Sequence, residues 1–222
     1  MHQDGIQLYF KQHGTKIFVD KESSICNPKL SDNYVYYLAD GIASLTSLTD
    51  DGTEKDFLYF PAGHLLGFVP ALMRHYRKIR KEKPADASLH MTPFGIDTKT
   101  DCIFYRISEP VFEGLLDRDP IFLSYVMEAT TRNYASLVTK FHDTQAEKIS
   151  TRLYKWLLKF SKPEGNIRAV PRGFTYTDIA KYLGIHPVTV SKLASELKKE
   201  GIIKKEQGRI LILDEKKLYE RL

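Results

Sequence analysis

The chain has 222 residues, 42% apolar and 27% charged, the balance expected of an ordinary soluble globular protein with room for more than one core. No apolar run approaches a membrane span, and the opening MHQDGIQLYF lacks the basic stretch and apolar centre of a signal peptide. Two cysteines, Cys26 and Cys102, are too few for a disulfide framework, so a reducing cytoplasm is the expected setting.

Formal net charge is +5, and residues 171–222 carry +4 of it, with 11 Lys and Arg against 7 Asp and Glu (11 − 7). A basic excess gathered at one end is an electrostatic pointer to phosphate. From about residue 15 to 107 the pattern is short and alternating. KIFV, YVYYLA, IASLTSL, KDFLYF and CIFYRI read as strands, with an Asp51-Gly52 hairpin signal between two of them and a break at FPAGHLLGF. Many short strands with regular turns predict a small antiparallel barrel or roll. The run RHYRKIRKEK, with Arg74, Arg77, Lys78, Arg80, Lys81 and Lys83, reads as an extended, solvated insertion between strands.

The period changes at residues 119–143. Leu123, Val126, Met127, Thr130, Tyr134, Leu137, Val138 and Phe141 recur at three and four, one stripe of a long helix and long enough for a dimer seam. Thr144 and Glu147 have capping-box spacing before another helical face, Ile149, Leu153, Trp156 and Phe160. SKPEGNIRAVPRG then reads as a loop.

FTYTDIAKYLGIHPVTVSKLASELKKEG reads as two short helices hinged at Gly184. Thr175 and Asp178 form a capping box, and His186 and Pro187 are the cap and first residue of the second helix. Val190, Leu193, Ala194 and Leu197 make its apolar face, which turns Thr189, Ser191 and Lys192 elsewhere. EGIIKKEQGRILIL reads as a hairpin turning at Gln207-Gly208, offering Lys204, Lys205 and Arg209 to phosphates. This is the grammar of a winged helix-turn-helix, whose second helix enters the major groove. The predicted DNA-contacting set is Thr175, Thr177, His186, Pro187, Val188, Thr189, Ser191, Lys192, Lys204, Lys205 and Arg209.

A roll, a long helix and DIAKYLGIHPVTVSKLASELKKEGII together resemble the cyclic-AMP receptor and fumarate–nitrate regulator (Crp/Fnr) superfamily of bacterial transcription factors. GIHPVTVSK is most similar to the branch that regulates halorespiration. The resemblance implies an α+β chain with an effector-sensing antiparallel β-roll (1–118), a dimerisation helix (119–143) and a winged helix-turn-helix (144–222). It implies a cytoplasmic homodimer that binds double-stranded DNA, responds to a small-molecule effector and, if it activates, engages RNA polymerase. The dimer interface would be Leu123, Val126, Met127, Thr130, Tyr134, Leu137 and Phe141.

The chain departs from cyclic-AMP-binding members, in which a Glu holds the ribose and an Arg-Ser or Arg-Thr pair holds the phosphate. Phe68 stands where the Glu would be, and no such pair follows. The four cysteines of an oxygen-sensing iron–sulfur cluster are lacking, and His64 alone makes no haem motif, so no cofactor or metal is expected. An aromatic effector pocket is expected instead, from Tyr59, Phe68 and Tyr134 with Arg74, suited to a halogenated or other aromatic acid. Two alternatives share parts of this reading. One makes Cys26 a thiol redox switch, with Cys102 inert in a strand. The other is a metal-dependent cupin-like enzyme, against which the seven His residues show no His-x-His pairing, so no catalysis is expected.

Overall fold

The computed structural model describes residues 3–26, 33–48, 54–81 and 94–222. It divides into two units, Met1–Ala135 and Ser136–Leu222. The hairpin signal at Asp51-Gly52 and Lys83 of the basic run lie outside the described residues.

The first unit runs α1 (Gln3–His13), β1 (Thr15–Val19), β2 (Ser24–Cys26), β3 (Tyr34–Asp40), β4 (Ile42–Leu48), β5 (Glu54–Pro61), β6 (Leu65–Leu66), α2 (Phe68–Arg80), β7 (Gly95–Thr98), β8 (Cys102–Ser108) and α3 (Glu109–Arg118), then enters α4 (Pro120–Ala146). Its strands form two antiparallel sheets, ordered β1-β8-β3-β6 and β2-β7-β4-β5. Side chains alternate across a strand, and β3 shows why YVYYLA is apolar throughout. Tyr36 and Leu38 join Leu58, Phe60 and Phe104 in one core, while Val35 and Tyr37 join the helices in another. A strand covered on both faces has no polar side to show.

The helical core was less visible from the sequence. Phe10 of α1, Phe68 and Ala71 of α2, Phe112 of α3, and Phe122 and Val126 of α4 all pack into it. The basic run is therefore no extended insertion. Its residues 74–80 belong to α2, which starts after Gly67 (φ 72°) and buries Phe68, Ala71, Leu72 and His75 at helical spacing. Two of its cations meet the neighbouring helix, where Arg74 pairs with Glu109 and Lys78 with Glu113 (2.6 Å).

Asp119 anchors the start of α4. Its Oδ1 accepts the N–H groups of Ile121 (2.9 Å) and Phe122 (3.1 Å), and its Oδ2 accepts the Tyr9 hydroxyl of α1 (2.6 Å). This hydrogen bond to a carboxylate, helped by desolvation, lifts the Tyr9 pKa to about 12.

Two expectations for α4 need correction. Val126 is fully buried in the helical core and Leu123 packs against it, so neither is presented at a seam. Besides Ile121 in the first turn, the uncovered apolar residues are Met127, Tyr134, Leu137, Val138 and Phe141, farther along. Nor is there a capping box at Thr144, because α4 runs on to Ala146 and the Thr144 hydroxyl donates back to the Lys140 carbonyl (2.8 Å).

The second unit continues with α5 (Ile149–Phe160), β9 (Lys162–Glu164), β10 (Ile167–Ala169), α6 (Tyr176–Leu183), α7 (Pro187–Lys199), β11 (Ile203–Glu206), β12 (Arg209–Ile212) and α8 (Glu215–Tyr219). Leu153, Trp156 and Phe160 of the predicted α5 face are buried, whereas Ile149, in its first turn, is exposed. Trp156 contacts Phe160 and Phe174 with ring centroids 5.2 Å apart in each pair. The presumed loop SKPEGNIRAVPRG contains the β9–β10 hairpin, turned by Gly165 (φ 60°), and joins a sheet ordered β11-β12-β10-β9.

If α1 is integral to the first unit, Phe10→Ala should destabilise it by about 3–5 kcal/mol, the usual cost of emptying a buried Phe site. Phe18→Ala, at a side chain 72% exposed against 0% for Phe10, should change stability by less than about 0.5 kcal/mol. Urea unfolding of both variants checks this.

Candidate nucleic-acid interface

The interface is built from local signals that the second unit realises in space. Thr175 Oγ1 accepts the Asp178 N–H (3.2 Å) while Asp178 Oδ2 accepts the Thr175 N–H (2.7 Å), a reciprocal cap that fixes where α6 begins. Gly184 ends α6 in the left-handed conformation (φ 66°, ψ 39°), which a side chain would disfavour. Two residues later His186 caps α7: its Nδ1 accepts the Val188 N–H at 3.3 Å, and Pro187 takes the first helical position. While it caps, the imidazole can donate only from Nε2.

Val190, Ala194 and Leu197 seat α7 on the core. The opposite stripe is open to solvent. It contains Val188 (53% exposed), Ser191 and Lys192, and also Ser195 and Lys199, which the sequence reading passed over. Thr189 and Pro187 are partly covered at its edge, and Thr175 and Thr177 are exposed at the start of α6. The structure thus gathers the N-terminal turns of both helices on accessible surface.

The wing hairpin turns at Gln207 (φ 47°) and Gly208 (φ 79°), a pair of positive φ angles suited to a tight two-residue hairpin. Its cations are not equivalent. Lys204 is exposed and pairs with Glu206 (3.1 Å), a weak surface contact that a phosphate can replace. Lys205 Nζ lies 4.8 Å from the Tyr176 ring centroid and Lys198 Nζ 5.4 Å from it. Tyr176, which the sequence reading also passed over, stacks wing and helix lysines on one ring. Arg209 already has a partner in the sheet. Its guanidinium is tied to Glu164 of β9, which joins the wing to the β9–β10 hairpin, and this bond holds the Glu164 carboxyl below its ordinary pKa.

The residues expected to line an effector pocket stand in unlike surroundings. Tyr59 and Phe68 are core residues, Tyr59 donating to Asp56 Oδ2 (3.2 Å), whereas Tyr134 is 68% exposed and Arg74 is engaged by Glu109. Close packing has used the aromatic surface that the sequence left available. Cys102 is buried in β8, where desolvation pushes its thiol pKa up, and Cys26 is half-buried at the end of β2. His142, Asp143 and Glu147 lie close enough to offer three metal ligands, but the Lys155 ammonium already sits on both carboxylates, 3.1 Å from Asp143. That pairing, led by the Glu147 hydrogen bond, raises the Lys155 pKa. No helix among the described residues is long and apolar enough to cross a membrane.

A family profile for the Crp-like helix-turn-helix domain matches residues 151–221. The chain is 25% identical over 201 residues to the transcriptional activatory protein AadR of Rhodopseudomonas palustris, an alignment covering 89% of this chain and 76% of the relative. Among solved structures it resembles FixK2 from Bradyrhizobium japonicum with a TM-score of 0.73 at 17% identity, covering 93% of this chain and 96% of that one. It also resembles CprK in complex with OCPA, with a TM-score of 0.63 at 17% identity, covering 97% of this chain and 92% of that one. The exposed stripe of α7, the lysines beside it, the matched domain and the shared fold lead to one conclusion: residues 151–221 are a Crp-like helix-turn-helix domain, carried by a chain with the fold of solved regulators of the Crp/Fnr family.

Proposed function

We propose that the protein binds an inverted-repeat operator as a homodimer and that its N-terminal roll senses a small molecule other than cyclic AMP. The observation that carries the DNA-binding half is the open polar and cationic stripe of α7, held at a fixed angle by the Thr175–Asp178 and His186 caps. Two copies related by a two-fold would read half-sites centred about one helical turn apart. The activatory role named for AadR favours an activator that engages RNA polymerase. The absence of any membrane-spanning helix among the described residues and the DNA partner both suit a cytoplasmic setting.

Dimerisation is supported by the uncovered stripe of α4. Met127, Tyr134, the neighbours Leu137 and Val138, and Phe141 fall at three- and four-residue steps once Thr130 is counted between the first two, and all are about half exposed or more within one chain. Thr130 sits on the same stripe, its hydroxyl returned to the Val126 carbonyl (2.8 Å). Leu137→Glu should leave the monomer folded, because Leu137 is about half exposed in it. At a dimer seam the same charge would cost several kcal/mol. Sedimentation should show monomer, with DNA affinity greatly reduced; a wild-type dimer would place the interface elsewhere.

Cyclic AMP is disfavoured as effector by the two positions that would hold it. Phe68 is a core residue where an acidic anchor is needed, and no Arg-Ser or Arg-Thr pair follows it to hold the phosphate. Micromolar cyclic AMP should therefore leave the melting temperature unchanged, since only a ligand of the native state raises it. A clear rise would reverse this assignment. The complex of CprK with OCPA supports a small organic effector for this fold, and a halogenated or other aromatic acid is our reading for this chain. With Tyr59 and Phe68 buried, such a ligand would have to open the roll, a population shift driven by its preference for the opened form.

The operator follows from Val188. Many Crp/Fnr regulators carry at this place a Glu that accepts a hydrogen bond from cytosine, whereas Val188 can only pack its methyls against a thymine methyl. The half-site should thus hold A/T at that base pair. Lys192 can reach guanine or phosphate without the two-pronged grip of an Arg. Selection from random DNA should recover A/T-rich palindromes whose binding weakens steeply with salt, and Val188→Glu should move the preference to G·C. Recovery of G·C-centred half-sites, unchanged by that substitution, would remove Val188 from the bases.

A further inference from the structure

Within the second unit lies a cavity of about 430 Å³ between the end of α4, α5 and the C-terminal end of α6. Its size is that of an ordinary small-molecule site. The walls include Trp156, Phe160, Tyr182, Leu183 and Tyr219. Trp156 is buried, and its Nε1–H has no acceptor among the described residues. Four cationic side chains, Lys140, Arg152, Lys155 and Lys159, line it against one carboxylate, Asp143, which Lys155 already pairs.

The cations are placed with a pattern. Arg152 donates to the Leu183 carbonyl, and Lys140 donates to the adjacent Tyr182 carbonyl (3.0 Å) with its ammonium 3.6 Å from the Tyr182 ring centroid. Two positive groups thus meet on consecutive carbonyls at the last turn of α6. A guanidinium has five N–H donors, and the described bond uses one of them. An apolar chamber with a doubled cation at one corner is the complement of an amphipathic anion.

We propose that this cavity binds a small amphipathic carboxylate, its apolar body against Trp156, Phe160 and Tyr182 and its head group on Arg152 and Lys140. Gly184 follows Leu183 directly and His186 caps α7, so the head group would rest on the backbone that leads into the recognition helix. Ser136, Lys140 and Asp143 line the cavity from the face of α4 opposite the uncovered Leu137, Val138 and Phe141. Occupancy would therefore bias the turn between α6 and α7 and change DNA affinity. That consequence rests on the DNA-binding reading above; the ligand site itself does not.

Trp156 is the only tryptophan of the chain, so its fluorescence reports on the cavity. The full-length protein is titrated with phenylacetate and octanoate, and with phenylethanol and octanol as uncharged counterparts, exciting at the red edge of Trp absorption. A saturable change with the acids, at least about tenfold weaker with the alcohols, is expected from the loss of a charge-assisted hydrogen bond. Arg152→Gln should weaken acid binding by a similar factor. Thr139→Phe, at an exposed position on the cavity rim, should block it while melting as the wild type does. An unsaturable or absent response, equal binding of the alcohols, or undiminished binding by both variants would overturn the site. Bound acid that leaves operator affinity unchanged would overturn the coupling. Failure to bind any operator, with or without acid, is a separate result against the DNA-binding reading.

Discussion

Helix α4 carries more apolar surface than the single chain covers, and the proposed dimer depends on that excess. Its first turns are consumed locally: Asp119 caps it, Tyr9 sews that cap to α1, and Phe122, Val126 and Ala129 close the helical core. Beyond them the helix continues to Ala146 with large apolar side chains facing water. Such a surface is tolerated in a chain that associates and is a liability in one that does not. The roll and the DNA-binding unit are joined through the element least able to be satisfied alone.

The second unit answers a different constraint. A recognition helix has to be rigid in direction while exposing its working face, so its stability must come from its ends and its back. The caps at Thr175, Gly184 and His186 supply the ends, and Val190, Ala194 and Leu197 supply the back. This leaves Val188, Ser191, Lys192, Ser195 and Lys199 free of structural duty. Tyr176 extends the arrangement by holding Lys198 and Lys205 against one ring, limiting the side-chain freedom that a phosphate contact would otherwise remove.

The helix-turn-helix was legible because its signals are local: a capping box, a glycine in the left-handed region and a proline at a helix start all act within four residues. Most roll strands were legible for the same reason. What escaped depended on distant partners. The α2 stripe of Phe68, Ala71, Leu72 and His75 was hidden under a run of cations whose acids, Glu109 and Glu113, lie in α3. The capping spacing at Thr144 and Glu147 was real as a pattern, yet helix propagation from α4 overrode it. Val126 and Leu137 share a period, and only packing distinguishes the one facing the core from the one left open. Likewise nothing local to Arg209 announces Glu164, its partner across the sheet.

The pairing of β12 has its own consequence. This strand bonds to β11 on one side and to β10 on the other, so the wing is the margin of a wider sheet and not an isolated hairpin. An isolated hairpin would be marginal in water and would pay an ordering cost on meeting DNA. Here the base of the wing is already ordered, and only the tip at Gln207 and Gly208 extends past the pairing. Variation in groove width along different operators must then be absorbed by the DNA or by the tip. Deformability of the flanking base steps becomes a source of discrimination at positions that no side chain touches.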